Sequence, residues 1–428
     1  MLKSAVVLSL AVLLLSAGGA HASSFTVLKT FCQLTACKDG GVADAPLVID
    51  GQGNLFGVTV TGGRHNRGMM FELQNTSGGY VFRRGYDFCV QTGCNDGWFP
   101  YSGLILDTSG NLYGTTSRGG AYGGGIAFKL LPAAKPGDVW KFVKLHDFCI
   151  KAGCADGKTP MSGLTYQGAA SGAPYDGTSP LFGTTTLGGA KGNGAAYRLQ
   201  FAAGRGKPKE AVIYSFCAQT NCADGLTPQA PLTIDGNGNI YGTTNYGGAF
   251  GASDDGGVVF ELSPTRNAYT YTVLHSFCAQ TQCADGDLPG TGALALDGGG
   301  TLYGTAGRPG GGQIYALSPD GANSAISTVY SFCYGSGCLG GFAPDGPLII
   351  DANGDIFGTA ADGGSAADPA GVVFMIHDGA ETVLHSFCSN CTDGANPLAV
   401  VMDGSGNLFG TTWISTVVPG GTAFEISP

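Results

Sequence analysis

Apolar and polar residues alternate along this chain in short runs, each closed by a glycine- or asparagine-rich turn. One stretch shows the pattern in full. Leu232-Thr233-Ile234-Asp235 alternates as a strand with one buried face. Gly236-Asn237-Gly238-Asn239 follows as a tight turn, because Asn and Gly tolerate positive φ. Ile240-Tyr241-Gly242-Thr243-Thr244 predicts a second strand and Val258-Val259-Phe260-Glu261-Leu262 a third, with a glycine-rich loop between them. Tyr271 to Phe277 predicts a fourth. This unit recurs seven times at a spacing of about sixty residues. Four short antiparallel strands repeated seven times predict an all-β, seven-bladed β-propeller. A single unit buries too little to stand alone and is stabilised by its neighbours.

The register sharpens this expectation. The chain opens on a fourth-type strand, residues 25–31, and closes on a third-type strand, residues 422–426. The last blade therefore lacks an outer strand, and the first strand lacks a blade. Pairing 25–31 beside 422–426 would close the ring and hide two edges. Residues 23–428 then form one propeller domain.

The cysteines mark the same repeat. They fall in the pairs Cys32/Cys37, Cys89/Cys94, Cys149/Cys154, Cys217/Cys222, Cys278/Cys283, Cys333/Cys338 and Cys388/Cys391. Even numbers and close pairing read as disulfides. No metal is expected, because a zinc site needs four converging ligands and no His recurs beside the pairs. Cys388/Cys391 has redox spacing, but it stands where plain bridges stand in the other units.

An Asp-Gly step follows the second cysteine at Asp39, Asp96, Asp156, Asp224, Asp285 and Asp393; the sixth unit has Gly340-Gly341 instead. One Asp per loop is too few for calcium, so these read as turn caps. His146, His275 and His385 precede a Phe by two residues, a place held elsewhere by Tyr86, Tyr214 and Tyr330. A position filled by either His or Tyr reads as a half-buried strand site. The Gly of Gly57, Gly114, Gly183, Gly242, Gly304, Gly358 and Gly410 lies inside a strand and implies close packing.

With these motifs laid out, Asp107-x-x-Gly110-Asn111-Leu112-Tyr113-Gly114-Thr115-Thr116 followed by Gly119-Gly120, repeated at 235–244 and 403–412, resembles the Gloeo/Verruco-type tandem repeat of "choice-of-anchor" exported bacterial proteins. The resemblance implies a secreted or surface protein and carries over no catalytic residues. No C-terminal anchor pattern is visible, which favours a free product.

Composition narrows the function classes. The chain has 75 Gly, 23 Phe and 17 Tyr with only 12% charged residues, which excludes a coiled coil, collagen and wholesale disorder. A net charge of −10 without a polybasic stretch argues against nucleic acid and anionic membranes as partners. Residues 1–22 read as a secretory signal: Lys3, an apolar run from Ala5 to Leu15, then Ala20-His21-Ala22, with cleavage expected after Ala22. No second apolar span follows, so a secreted protein, extracellular or periplasmic, is expected, with a monomer favoured.

Residues shared by all units build the fold, so a site should lie where the repeat is broken. The loops joining second to third strands vary most. The candidate ligand contacts are Arg64, His65 and Arg67, then Arg118 and Tyr122, Asp254 and Asp255, Arg308, Asp362 and Trp413. Arg, Tyr and Trp commonly anchor partners. The reading is a non-catalytic, cofactor-free binding protein for a polysaccharide or a surface protein. The alternatives are a glycosidase or lyase, or a structural matrix protein. The inner strands carry no acids, and neither H-E-x-x-H nor G-x-S-x-G occurs, so no catalytic residue is assigned. Unit three carries an expansion over 168–179, read as a tolerated loop extension on the face opposite the candidates.

Overall fold

The computed structural model describes residues 24–428 apart from 136, 203–205, 251–255, 309, 323, 336, 365–368, 389–391, 414–416 and 418. The segment expected to be a signal and the cleavage point expected after Ala22 lie outside the described residues, as do Asp254, Asp255, Cys391 and the side chain of Arg308.

Seven antiparallel sheets follow one another along the chain. Blade one runs from the inner to the outer strand as Val48–Ile49, Leu55–Thr59, Met69–Thr76 and Gly79–Asp87. Blades two, four and six repeat this order. In blade three the inner strand shrinks to one bridge between Thr165 and Phe182, and blade five gains an extra short strand, Asp287–Pro289. The ring closes as the register requires. Ser24–Thr30 pairs antiparallel with Thr422–Ser427, placing Phe25 opposite Ile426 and Val27 opposite Phe424. Blade seven is thus three C-terminal strands and one N-terminal strand.

The in-strand glycine has one physical cause in every blade. Each faces an aromatic ring on the third strand: Gly57 opposite Phe71, Gly114 opposite Phe128, Gly183 opposite Tyr197, and so around to Gly410 opposite Phe424. A Cβ on Gly57 would run into the Phe71 ring and Leu47. The rings then pack against the preceding blade, Phe128 on Phe88 for example, so the core is divided into seven clusters, each shared by two neighbouring blades. The cluster joining blade seven to blade one holds Phe409 and Ala423 with Leu47, Leu55 and Phe71. Among the described residues no helix is long and apolar enough to cross a membrane.

Candidate functional site

The connecting loops and the loops between second and third strands share one face, and backbone bonds sew them together. Six disulfides close the connecting loops: Cys32–Cys37, Cys89–Cys94, Cys149–Cys154, Cys217–Cys222, Cys278–Cys283 and Cys333–Cys338. The loops also hold a short helical turn. In the first five, the second cysteine ends a single 3-10 turn: Thr35–Cys37, Thr92–Cys94, Ala152–Cys154, Thr220–Cys222 and Thr281–Cys283. The turn closes through the cysteine's own N–H, which Cys94 gives to the Gln91 carbonyl at 2.9 Å, Cys154 to Lys151 at 2.9 Å and Cys222 to Gln219 at 3.1 Å. A chain reversed within so few residues satisfies its backbone locally, and the alternation pattern carries no signal for that.

Behind each of these five turns sits the Asp of Asp-Gly. Asp96 accepts the Val90 and Gln91 N–H groups at 3.0 Å each and the Tyr86 hydroxyl at 2.8 Å. Asp39, Asp156, Asp224 and Asp285 cap their loops in the same way. These carboxylates are buried, so the series is structural, as the single Asp per loop suggested. Cys278, Cys283 and Asp287 bring ligand atoms within 4.8 Å of one another, but the two sulfurs are bonded to each other and cannot hold a metal.

The loop then makes two further seams. Three residues past the Asp, or past Gly340 in the sixth unit, stands a residue with positive φ: Val42, Phe99, Thr159, Thr227, Leu288, Ala343 and Asn396. None is a glycine, and each except Asn396 costs roughly 1–2 kcal/mol of backbone strain. Six of them donate their N–H to the second-to-third loop of the preceding blade, Phe99 to the Arg67 carbonyl at 3.1 Å for example. One residue earlier, the loop bridges to the corresponding loop of the following blade. Trp98 and Arg118 exchange both backbone bonds, at 2.9 and 3.2 Å. A close approach completes the seam: Gly68, at φ +91°, lies where a Cβ would strike Pro100.

The scaffold therefore gathers three variable positions at every blade boundary. Between blades one and two these are Arg67, Trp98 and Arg118. The Arg67 guanidinium lies 4.2 Å from the Trp98 ring centroid and that of Arg118 lies 5.8 Å from it. Neither has a carboxylate within ion-pair distance among the described residues. Trp98 escaped the sequence reading, although its repeat position holds Gly41, Lys158, Leu226, Asp287, Phe342 and Ala395 elsewhere. An aromatic side chain breaking that position was the available signal.

The sequence candidates among the described residues are spread over the loops of several blades. Arg64 turns back on its own blade, its N–H on Asp87 at 2.9 Å and its Nε 3.7 Å from the same carboxylate. His65 is exposed, and Tyr122 is 57% exposed on the loop that carries Arg118. Arg308 takes Arg118's backbone place opposite Asp287. Asp362 takes that place opposite Phe342. Trp413 is exposed over blade seven and donates its N–H to the Ala395 and Asn396 carbonyls.

Two acids near the ring's centre were also missed. Asp44 and Asp345 stand at one repeat position just ahead of the inner strands of blades one and six. Asp345 accepts the Thr291 N–H at 2.7 Å and its hydroxyl at 3.1 Å. Burial, with the Asp345 charge second, pushes the Asp44 carboxyl up to about 7. Tyr101 faces the same region. Burial and Asp44 raise its hydroxyl, and Arg118 opposes them.

The opposite face carries a cavity of about 610 Å³ walled by Val48, Leu104, Leu106, Leu164 and Tyr166. The expansion of unit three closes one side of it. That segment is packed more firmly than a tolerated extension. Thr108 N–H bonds the Tyr175 carbonyl at 3.0 Å, and the buried Tyr175 ring meets Tyr113 edge-on. Gln167 reaches the Gly236 carbonyl of blade four at 3.2 Å. Burial of one large ring fixes the insertion.

Fold and loops together define a seven-bladed propeller with capped, disulfide-closed connections. Within that class, residues 19–179 match the Gloeobacter/Verrucomicrobia repeat, and the same motifs continue beyond them. No curated protein matches the chain. Among solved structures it is similar to a luciferin-regenerating enzyme, at 10% identity and TM-score 0.43 over 95% of each chain. It is also similar to a gluconolactonase from Xanthomonas campestris, at 13% and 0.42 over 95% of this chain and 89% of that one. A third is a glucose dehydrogenase-type oxidoreductase from Thermus thermophilus, at 15% and 0.41 over 76% and 95%. Likeness at this distance carries no function.

Proposed function

We propose that the protein is an exported, non-catalytic binding module that takes a polysaccharide on the face bearing the disulfide loops. The observation that carries the reading is the convergence of Arg67, Trp98 and Arg118 from three separate loops. The shared backbone seams would be satisfied by many side chains, and only this boundary combines two cations with an indole. Six disulfides suit an oxidising compartment. The reading needs no cofactor, nucleic acid or membrane, and a single ring suffices.

The purified, oxidised protein is tested against immobilised polysaccharides, scoring retention and released reducing or unsaturated ends together. Retention without product supports the module. A second reading rests on Asp44 and Asp345. A carboxyl held up to about 7 by burial and by the charge of a second carboxylate suits a proton donor in glycoside cleavage. Product that disappears in Asp44→Asn would replace the binding reading with this one.

A further inference from the structure

We infer that the boundary between blades one and two recognises the acidic groups, carboxylate or sulfate, of an anionic polysaccharide. The inference rests on the binding reading above and adds the chemistry of its ligand. Trp98 holds the Arg67 guanidinium at 4.2 Å from its ring centroid, with that of Arg118 at 5.8 Å. A guanidinium laid on an indole keeps its planar edge of N–H donors free, and that edge fits a carboxylate or sulfate in bidentate fashion. Stacking also fixes long side chains, so less rotamer freedom is lost on binding.

The surroundings make the two cations conspicuous. The chain carries 31 acidic against 21 basic residues, yet no acid answers Arg67 or Arg118 among the described residues. Asp87, the nearby acid of blade one, is already engaged by Arg64 and by Arg84 at 3.9 Å. Asp44, beyond Tyr101, is shifted toward its neutral form. A saccharide is favoured over an acidic peptide because Tyr122 stands exposed on the loop that carries Arg118, and an aromatic face suits a sugar ring. Other boundaries offer the same backbone without this chemistry: Gly124, Lys158 and Leu187 at the next, Asn193, Leu226 and Tyr246 at the one after.

The test titrates the oxidised full chain with polygalacturonate, dextran sulfate, neutral dextran and poly-L-glutamate, following tryptophan emission and calorimetric heat. Polygalacturonate or dextran sulfate should bind, more weakly as salt is raised. The Arg67→Ala, Arg118→Ala double variant should lose at least about tenfold in affinity, since two charge-assisted bonds are removed. Arg67→Lys with Arg118→Lys keeps the charge but not the fork and should fall between. Lys191→Ala, an exposed cation on the same face, should change nothing. Neutral dextran binding that ignores both arginine variants overturns the inference and leaves the binding module standing. Poly-L-glutamate binding as tight as polygalacturonate overturns the saccharide assignment. Equal loss in Lys191→Ala reduces the effect to bulk charge and overturns it too. No binding to any of the four polymers overturns the inference, and failure of the wider polysaccharide panel alone overturns the module.

Discussion

The connecting loop into blade two and the one into blade six do the same job with a carboxylate drawn from different places. In the first, Tyr86 on the outer strand of blade one bonds Asp96 of the loop, and its ring stacks on Phe142 of the next blade at 5.3 Å. In the second, Gly340 stands where Asp96 would be, and Glu381 stands at the repeat position of Phe142. The Tyr330 hydroxyl bonds Glu381 at 2.8 Å, and a Cβ at 340 would collide with that carboxylate. One acid has crossed the blade boundary, and the glycine makes room for it. Burial raises the Glu381 carboxyl, with the Tyr330 bond opposing. The repeat therefore preserves a bond between an outer-strand side chain and an acid rather than a residue at a fixed place. Lys29 on Asp39 at 2.7 Å, His275 on Asp285 at 3.0 Å and His385 on Asp393 at 3.1 Å are further versions of it.

The largest effect should come from removing the version that also closes the ring. Deleting residues 24–31 takes away Lys29, the buried Phe31 and the strand paired with 422–427. Loss of that apolar burial and of the backbone pairing should cost at least about 5 kcal/mol in urea unfolding. The exposed edge of blade seven should also drive oligomers on size exclusion. Unchanged stability would break the comparison at its root.

Next in size is a transplant between the two loops. Asp96→Ala leaves two loop N–H groups and Tyr86 without their acceptor, at roughly 2–4 kcal/mol. Gly340→Asp should destabilise by roughly 2–3 kcal/mol through its clash with Glu381. Combining Gly340→Asp with Glu381→Ala should recover more than half of that loss, because the acid then returns to the usual side. Strict additivity in the double-variant cycle would show that the two acids are not interchangeable.

The smallest effect concerns the loop into blade three. His146 Nε2 lies 3.9 Å from Asp156 and has no hydrogen-bond partner, unlike its counterparts in blades four and six. Burial pulls its imidazole down to about 4, with Asp156 opposing. The unfolded chain binds a proton near 6.5 and the folded one does not. The contribution is therefore whole above about pH 6.5 and is lost as pH falls toward about 4. His146→Tyr, the residue other loops use here, should remove roughly 1–3 kcal/mol of that acid sensitivity. Parallel stability curves for the two proteins between those two pH values would refute this.

Blade count, strand order within a blade, six of the cysteine pairs and the closure register are all legible in the amino-acid sequence alone. They follow from local periodicity: alternation within a strand, turn residues between strands, and repeat spacing along the chain. What crosses a blade boundary is settled only in three dimensions. Trp98 reads as one aromatic among many until the seams set Arg67 and Arg118 against it. Glu381 reads as an ordinary strand acid until the missing Asp at 340 is seen to face it. Asp44 and Asp345 lie about three hundred residues apart, and the charge of one reaches the other because the ring turns its sixth and first blades toward one centre. Such contacts depend on which residues of different units share a boundary. A repeat pattern fixes the boundary's backbone, and the side chains that break the pattern meet there only once the ring has closed.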